Sequence, residues 1–142
     1  MRRVRFPSVV SEVMKAIISV DGASFISEAA QRMIANKIGS IIVTDKGEPS
    51  GIVTRSDMIS KVIVAHLEPG ANRINTIMST PLISLAHDTP ILEAMRFLRD
   101  QDINQVLIKE GDKLTGIVSE GDLIRAVTLC SLAQFSTLLH KK

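Results

Sequence analysis

The sequence predicts a mixed α/β (α+β) protein made of two β-α-β-β-α copies packed as a pseudo-twofold pair. Three observations carry that prediction. The block Gly51-Ile52-Val53-Thr54-Arg55-Ser56-Asp57-Met58-Ile59 returns as Gly116-Ile117-Val118-Ser119-Glu120-Gly121-Asp122-Leu123-Ile124, 65 positions later. The same offset maps Glu28-Ala29 onto Glu93-Ala94, Ile38 onto Ile103, Ile41-Ile42-Val43 onto Val106-Leu107-Ile108, and Val62 onto Val127. Within each copy, short apolar runs of strand length alternate with segments of helical periodicity. A period this long exceeds that of the common solenoid repeats, so it reads as two copies of one compact unit. Units too small to bury enough apolar surface alone have reason to share a core. The region between the copies is then the expected place for function.

The elements follow in order. Ser8–Met14 reads as a short helical turn and Ile17–Val20 as a brief strand. Asp21-Gly22-Ala23-Ser24 is turn chemistry suited to capping the next element. From Phe25 to Lys37, the apolar residues Phe25, Ile26, Ala29, Ala30, Met33 and Ile34 share one helical face. Ile41–Val43 is a buried strand, 45–50 a hairpin turn, and Gly51–Val53 the returning strand. Thr54 opens a helix with Met58, Ile59, Val62 and Ile63 as its apolar positions, and 67–73 is the linker. The second copy repeats this: a turn at Ile74–Met78, a strand at Leu82–Leu85, and a helix from Pro90 to Gln101 with Thr89 as cap. Strands at Val106–Ile108 and Thr115–Val118 flank a turn at 110–113, and Asp122 starts a long helix to about Leu139. The copies are placed at 8–66 and 74–129, with 130–142 a helical extension suited to packing or dimerisation.

Composition narrows the function. The 142 residues are 45% hydrophobic with a mean hydropathy of +0.23, which fits one folded domain. With aromatics at 3% and neither Trp nor Tyr, base-stacking RNA and single-strand platforms are excluded. The net charge of +2 is small, and only Arg2, Arg3 and Arg5 form a basic cluster. Nucleic acid is therefore the weakest partner expected, to be betrayed by steep salt dependence. A single Cys, Cys130, excludes an internal disulfide and suits a reducing cytoplasm. No apolar run is long enough for a membrane span, and residues 1–20 lack signal-peptide features.

Catalytic chemistry is missing from the pattern. His66, His87, His140 and Cys130 are scattered without zinc spacing. No P-loop, dinucleotide-binding glycine motif or nucleophile elbow is present, and His87-Asp88 reads as a helix-capping neighbourhood. The chain is expected to be no enzyme, with no metal and no catalytic cofactor.

Two motifs remain. Thr54-x-x-Asp57 and Ser119-x-x-Asp122 have the form of capping boxes with Asp in place of Glu. Such a helix start needs no ligand, yet its free N–H groups and positive dipole end also suit a phosphate or a sugar edge. An ionised Asp accepts only, and the two hydroxyls of a ribose are paired donors.

The duplicated order, closing on Gly-Ile-Val-Thr-x-x-Asp and Gly-Ile-Val-Ser-x-x-Asp, resembles the tandem cystathionine-β-synthase (CBS) domain pair, or Bateman module, over about residues 8–129. The resemblance implies regulatory binding of an adenine nucleotide in clefts between the copies, in what looks like a stand-alone pair. It assigns ribose to Asp57 and Asp122, and the ligand's polar end to Thr54 and Ser119. It places the base against Ala16, Ile17 and Ile18 with Gly39, Ser40 and Ile41, and against Thr80, Leu82 and Ile83 with Asn104, Gln105 and Val106. Related nucleotide binders often carry His or Arg before the middle strand, whereas Gly39-Ser40 and Asn104-Gln105 are uncharged. That departure favours AMP over ATP, while the sequence does not separate AMP from ADP, S-adenosylmethionine or NAD. Arg55 and Ser56 beside Asp57, against Glu120 beside Asp122, make the first site the expected stronger one. A homodimer, signalling to an unidentified effector protein, is the expected assembly. The alternative is a ligand-free interaction scaffold that works through its last helix.

Overall fold

The computed structural model describes residues 6–139, so Arg2, Arg3, Arg5, His140 and Lys141-Lys142 lie outside the described residues. The chain divides into two compact units. One is Ile17–Leu82; the other joins the residues up to Ala16 to those from Ile83 onward. Sequence repeat and spatial unit are therefore offset, because each copy's leading segment belongs to the unit built by the other copy.

In the unit Ile17–Leu82, strand β1 (Ser19–Asp21) runs parallel to β2 (Ser40–Asp45), and β2 pairs antiparallel with β3 (Glu48–Thr54). The β2–β3 connection is only Lys46-Gly47. Both residues have positive φ, 51° and 80°, the geometry of a tight hairpin turn. Helix α1 (Ile26–Asn36) crosses between the parallel strands, burying Ile26, Ala29 and Met33. These three pack with Val20, Ile41, Val43, Val53 and Val62, and the core is completed by Ile74 and Ile77 from beyond the expected linker.

The other unit repeats the plan. Strand β4 (Ser84–Ala86) is parallel to β5 (Gln105–Glu110), which pairs antiparallel with β6 (Lys113–Ser119). Helix α3 (Ile91–Gln101) buries Ile91, Ala94 and Leu98, the positions equivalent to those of α1. Its core is closed by Val10, fully buried within a 3₁₀ turn at Val10–Glu12. Even the register irregularity recurs, at Val43/Thr44 and at Ile108/Lys109.

The capping expectations need correction. Neither α1 nor α3 has a side-chain N-cap; Phe25 and Pro90 hold those positions, so neither Asp21–Ser24 nor Thr89 nor His87-Asp88 supplies one. Backbone carbonyls do the work instead. The Ile26 and Ser27 N–H groups donate to the Asn72 and Pro69 carbonyls (2.9 and 3.0 Å), and Ile91 N–H donates to the Ser8 carbonyl (3.1 Å). Residues 67–73 are thus the lid of α1 and not a loose linker. Arg73 reinforces it, stacking 4.3 Å over the Phe25 ring and donating to the Ala23 carbonyl.

The helix expected from Thr54 is only three residues of α-helix, α2 (Arg55–Asp57), followed by a π-helical stretch at Met58–Ile63. Val62 is buried there, while Ile59 and Ile63 are exposed. The corresponding helix α4 (Glu120–Leu139) is continuous over 20 residues.

Candidate ligand site

The two closing motifs fold as real capping boxes. Thr54 Oγ1 accepts from Asp57 N–H (3.3 Å), while Asp57 Oδ2 accepts from Thr54 N–H (2.9 Å) and from its hydroxyl (3.2 Å). Ser119 Oγ likewise accepts from Asp122 N–H (3.1 Å), and Asp122 Oδ2 accepts from Ser119 N–H (3.0 Å). Ser40, Asp57 and Asp122 are the buried polar or charged side chains among the described residues. Buried carboxylates persist only when paired or hydrogen-bonded, and here they are both.

Each carboxylate turns its other oxygen to cations that the sequence reading did not name. Asp57 Oδ1 lies 3.1 Å from Lys61 Nζ, one helical turn away. Lys61 also donates to the Ile77 carbonyl (3.0 Å) and reaches Ser79 Oγ (3.4 Å). Asp122 Oδ1 accepts from Arg125 (2.6 Å) and lies 3.1 Å from Lys15 Nζ. The spacings 57–61 and 122–125 could have flagged Lys61 and Arg125 from sequence. Lys15 carried no such signal. It arrives through tertiary pairing, its backbone exchanging hydrogen bonds with Ile117 (2.9 and 3.0 Å). Burial opposes the charge on Asp122, but the Ser119 N–H and hydroxyl and the Lys15 ammonium outweigh it. They hold its pKa below the ordinary 3.8.

The remaining expected residues divide. Gly39 meets the start of α2, its carbonyl accepting from Arg55 N–H (3.1 Å), and Ser40 pairs in register with Thr54. Ile18 joins the same sheet through the Ile42 N–H (3.0 Å), and Ile17 precedes it. In the other unit Asn104 accepts from Glu120 N–H (2.8 Å), Gln105 pairs with Ser119, and Ile83 accepts from Leu107 N–H (3.1 Å). Gln105 Oε1 is buried without a partner, an acceptor left for a ligand donor or water. Ile41 and Val106 are closed in the cores at 0 and 1% exposure, so only the backbone of these two residues could meet a base. Thr80 and Ala16 are exposed and Leu82 half-buried; Thr80 and Leu82 belong to the unit Ile17–Leu82, apart in the chain's division from Ile83 and Asn104–Val106. Arg55, Ser56 and Glu120 are exposed, so the charges that ranked the two sites stand in solvent. The cations on the carboxylates are Lys61, Lys15 and Arg125.

Around Asp122 the structure opens a cavity of about 840 Å³, within the range of small-ligand sites. Phe6, Pro7 and Val13 form one apolar side and Ala126 and Leu129 of α4 the other, with Lys15, Asp122 and Arg125 providing charge. One carboxylate against two cations leaves the cluster with a net positive charge. Among the described residues no three His, Cys, Asp or Glu side chains converge as metal ligands, and no helix is long and apolar enough to cross a membrane.

The CBS domain family matches this chain twice, over residues 10–64 and 74–129. An uncharacterized protein of Methanopyrus kandleri is 31% identical over 124 residues, covering 86% of this chain and 63% of the relative. The mitochondrial CBS domain-containing protein CBSX3 of Arabidopsis thaliana is 29% identical, covering 84% of this chain and 65% of the relative. The chain thus spans just under two thirds of the length of each. Among solved structures, a protein with CBS domains from Burkholderia ambifaria, provisionally assigned to signal transduction, superposes with a TM-score of 0.80 at 25% identity, covering 84% of this chain and 93% of that one. With two family matches, two copies of the β-α-β-β-α plan and the Gly-Ile-Val-Thr/Ser-x-x-Asp closure in each, the chain belongs to the CBS-domain family as a tandem pair.

Proposed function

We propose that this CBS pair is a non-catalytic regulatory module that binds an adenine nucleotide, AMP foremost, and reports its occupancy to an effector protein. The observation that carries this reading is the Asp122 cluster, a buried carboxylate and two cations on the wall of an apolar cavity. Three of the roughly four acceptor positions of that carboxylate are taken. A ribose diol must therefore displace a cation. Lys15 and Arg125 are about two-thirds exposed and free to swing away. Binding becomes an exchange: sugar hydroxyls take their places on Asp122, and the released cations face the phosphate. Two cations match a phosphate monoester, of about −1.5 to −2 charge at pH 7. ADP and ATP bring more charge than the cluster offers.

Ligand occupancy can redirect the module only by favouring one arrangement over another, typically by about 1–3 kcal/mol. Exposed apolar residues on and just after the π-helical stretch (Ile59, Ile63, Val64) and on α4 (Ile124, Leu129, Leu132) suit burial against a second copy, which supports a homodimer.

The saturated capping boxes favour a second reading, a ligand-free interaction scaffold. Thermal unfolding separates the two. AMP at 100 times its dissociation constant should stabilise the native protein by about 2.7 kcal/mol. No shift with AMP, ADP or ATP would leave the scaffold.

A further inference from the structure

The two units match residue for residue around their carboxylates, with one telling exchange. Ser79 bonds both ways with Ile52, as Lys15 does with Ile117. Met78 lies over Gly51 as Met14 lies over Gly116; a Cβ on either glycine would sit 2.6 or 2.5 Å from the methionine sulfur. Ile77 ends its 3₁₀ turn as Val13 ends the other. Asp57, Ile77 and Ser79 are thus the counterparts of Asp122, Val13 and Lys15, three residues of the cavity wall. Those same three counterparts are what Lys61 touches. Lys61 occupies the place of Ala126, another wall residue.

We propose that the chain carries one anion-binding cavity, around Asp122, and that Ala126 in the place of Lys61, together with the rim cations Lys15 and Arg125, decides this. Ala126 leaves the space open. In the other unit the Lys61 side chain fills it, and its ammonium takes the position on Asp57 that an incoming ligand would need. Each unit supplies its carboxylate with a cation. In the unit Ile17–Leu82 that cation is rooted in the helix and crosses the cavity. Around Asp122 it is held at the rim by Lys15 and Arg125, whose counterparts Ser79 and Ser60 are uncharged. The ligand class is an anion with an apolar or planar body, and its identity as a nucleotide rests on the reading above.

Calorimetric titration of wild type, a Ser60→Arg/Lys61→Ala/Ser79→Lys triple variant and Ala126→Lys with AMP, and separately with inorganic phosphate, tests this. The expected stoichiometries are one AMP per chain for wild type and two for the triple variant, in which the space is cleared and Asp57 regains two rim cations. Ala126→Lys should weaken AMP at least tenfold. Because Ala126 is a core position, the wild-type protein gives a parallel readout: acetylation of Lys15, followed by mass spectrometry, should be slowed by AMP while that of Lys61 is unchanged. Two AMP per wild-type chain, AMP protection of Lys61 instead of Lys15, or the triple variant remaining at one AMP overturns the one-cavity proposal and leaves nucleotide binding standing. No binding of AMP, ADP or ATP to wild type removes the nucleotide reading. The phosphate titration then decides: a phosphate site new to the triple variant sustains the proposal, and its absence overturns it.

Discussion

Asp122 shows how one side chain serves both folding and chemistry. Its lowered pKa means that the native state binds protons less readily than the unfolded chain. The resulting stabilisation is complete above the unfolded value near 4 and is lost as pH falls through the lower native value. Asp122→Asn should therefore cost on the order of 1 kcal/mol between pH 5 and 8. The gap from wild type should close below pH 4, as read from urea unfolding at a series of pH values. A gap independent of pH would show that the carboxylate's charge contributes nothing. The sequence marked Asp57 and Asp122 because their spacing from a hydroxyl is a local matter. It was silent on Lys15, whose approach depends on pairing across 102 positions with Ile117. It used Arg55 and Glu120 to rank the two sites, and both are exposed, since first-turn charges next to a cap point outward as easily as inward.

At the level of elements, both crossover helices stop in the same way. Lys37 and Asp102 adopt the left-handed conformation with φ of 54° and 52°, and their N–H groups close onto carbonyls three and four residues back. This geometry costs a side-chain-bearing residue about 1–2 kcal/mol that glycine avoids. Lys37 is exposed, so Lys37→Gly should raise stability by about 1 kcal/mol, measurable by chemical denaturation; a loss would mean its side chain contributes an unrecognised contact. Strand and helix positions were legible because period 2 and period 3.6 are local signals. The helix starts were not, since Asn72, Pro69 and Ser8 carbonyls act as caps, and a backbone acceptor leaves no trace in residue type. The π-helical stretch was hidden for a related reason: β-branched residues at helical spacing look the same whether the ladder is tight or wide.

For the whole molecule, the offset between repeat and unit decides which pieces can fold. Ile74 and Ile77, at 0 and 2% exposure, complete the core of Ile17–Leu82. A fragment of residues 17–82 should unfold cooperatively by circular dichroism. One of residues 8–66 lacks both isoleucines and the cap of α1, and should show no sharp transition, since each lost large apolar side chain costs about 2–5 kcal/mol. Equal transitions would mean that the exchanged segments are accessories. Periodicity delimits copies, but it cannot say which copy a leading segment will pack against, because that is a choice between two near-identical surfaces.

The exchange of leading segments also ties the molecule together twice over. A protease cut near Gly70 would yield two polypeptides, each holding a piece that the other's hydrophobic interior requires: Val10 on one, Ile74 on the other. Peptide continuity through that stretch is dispensable for cohesion, and the severed halves would behave as a reconstituting split protein.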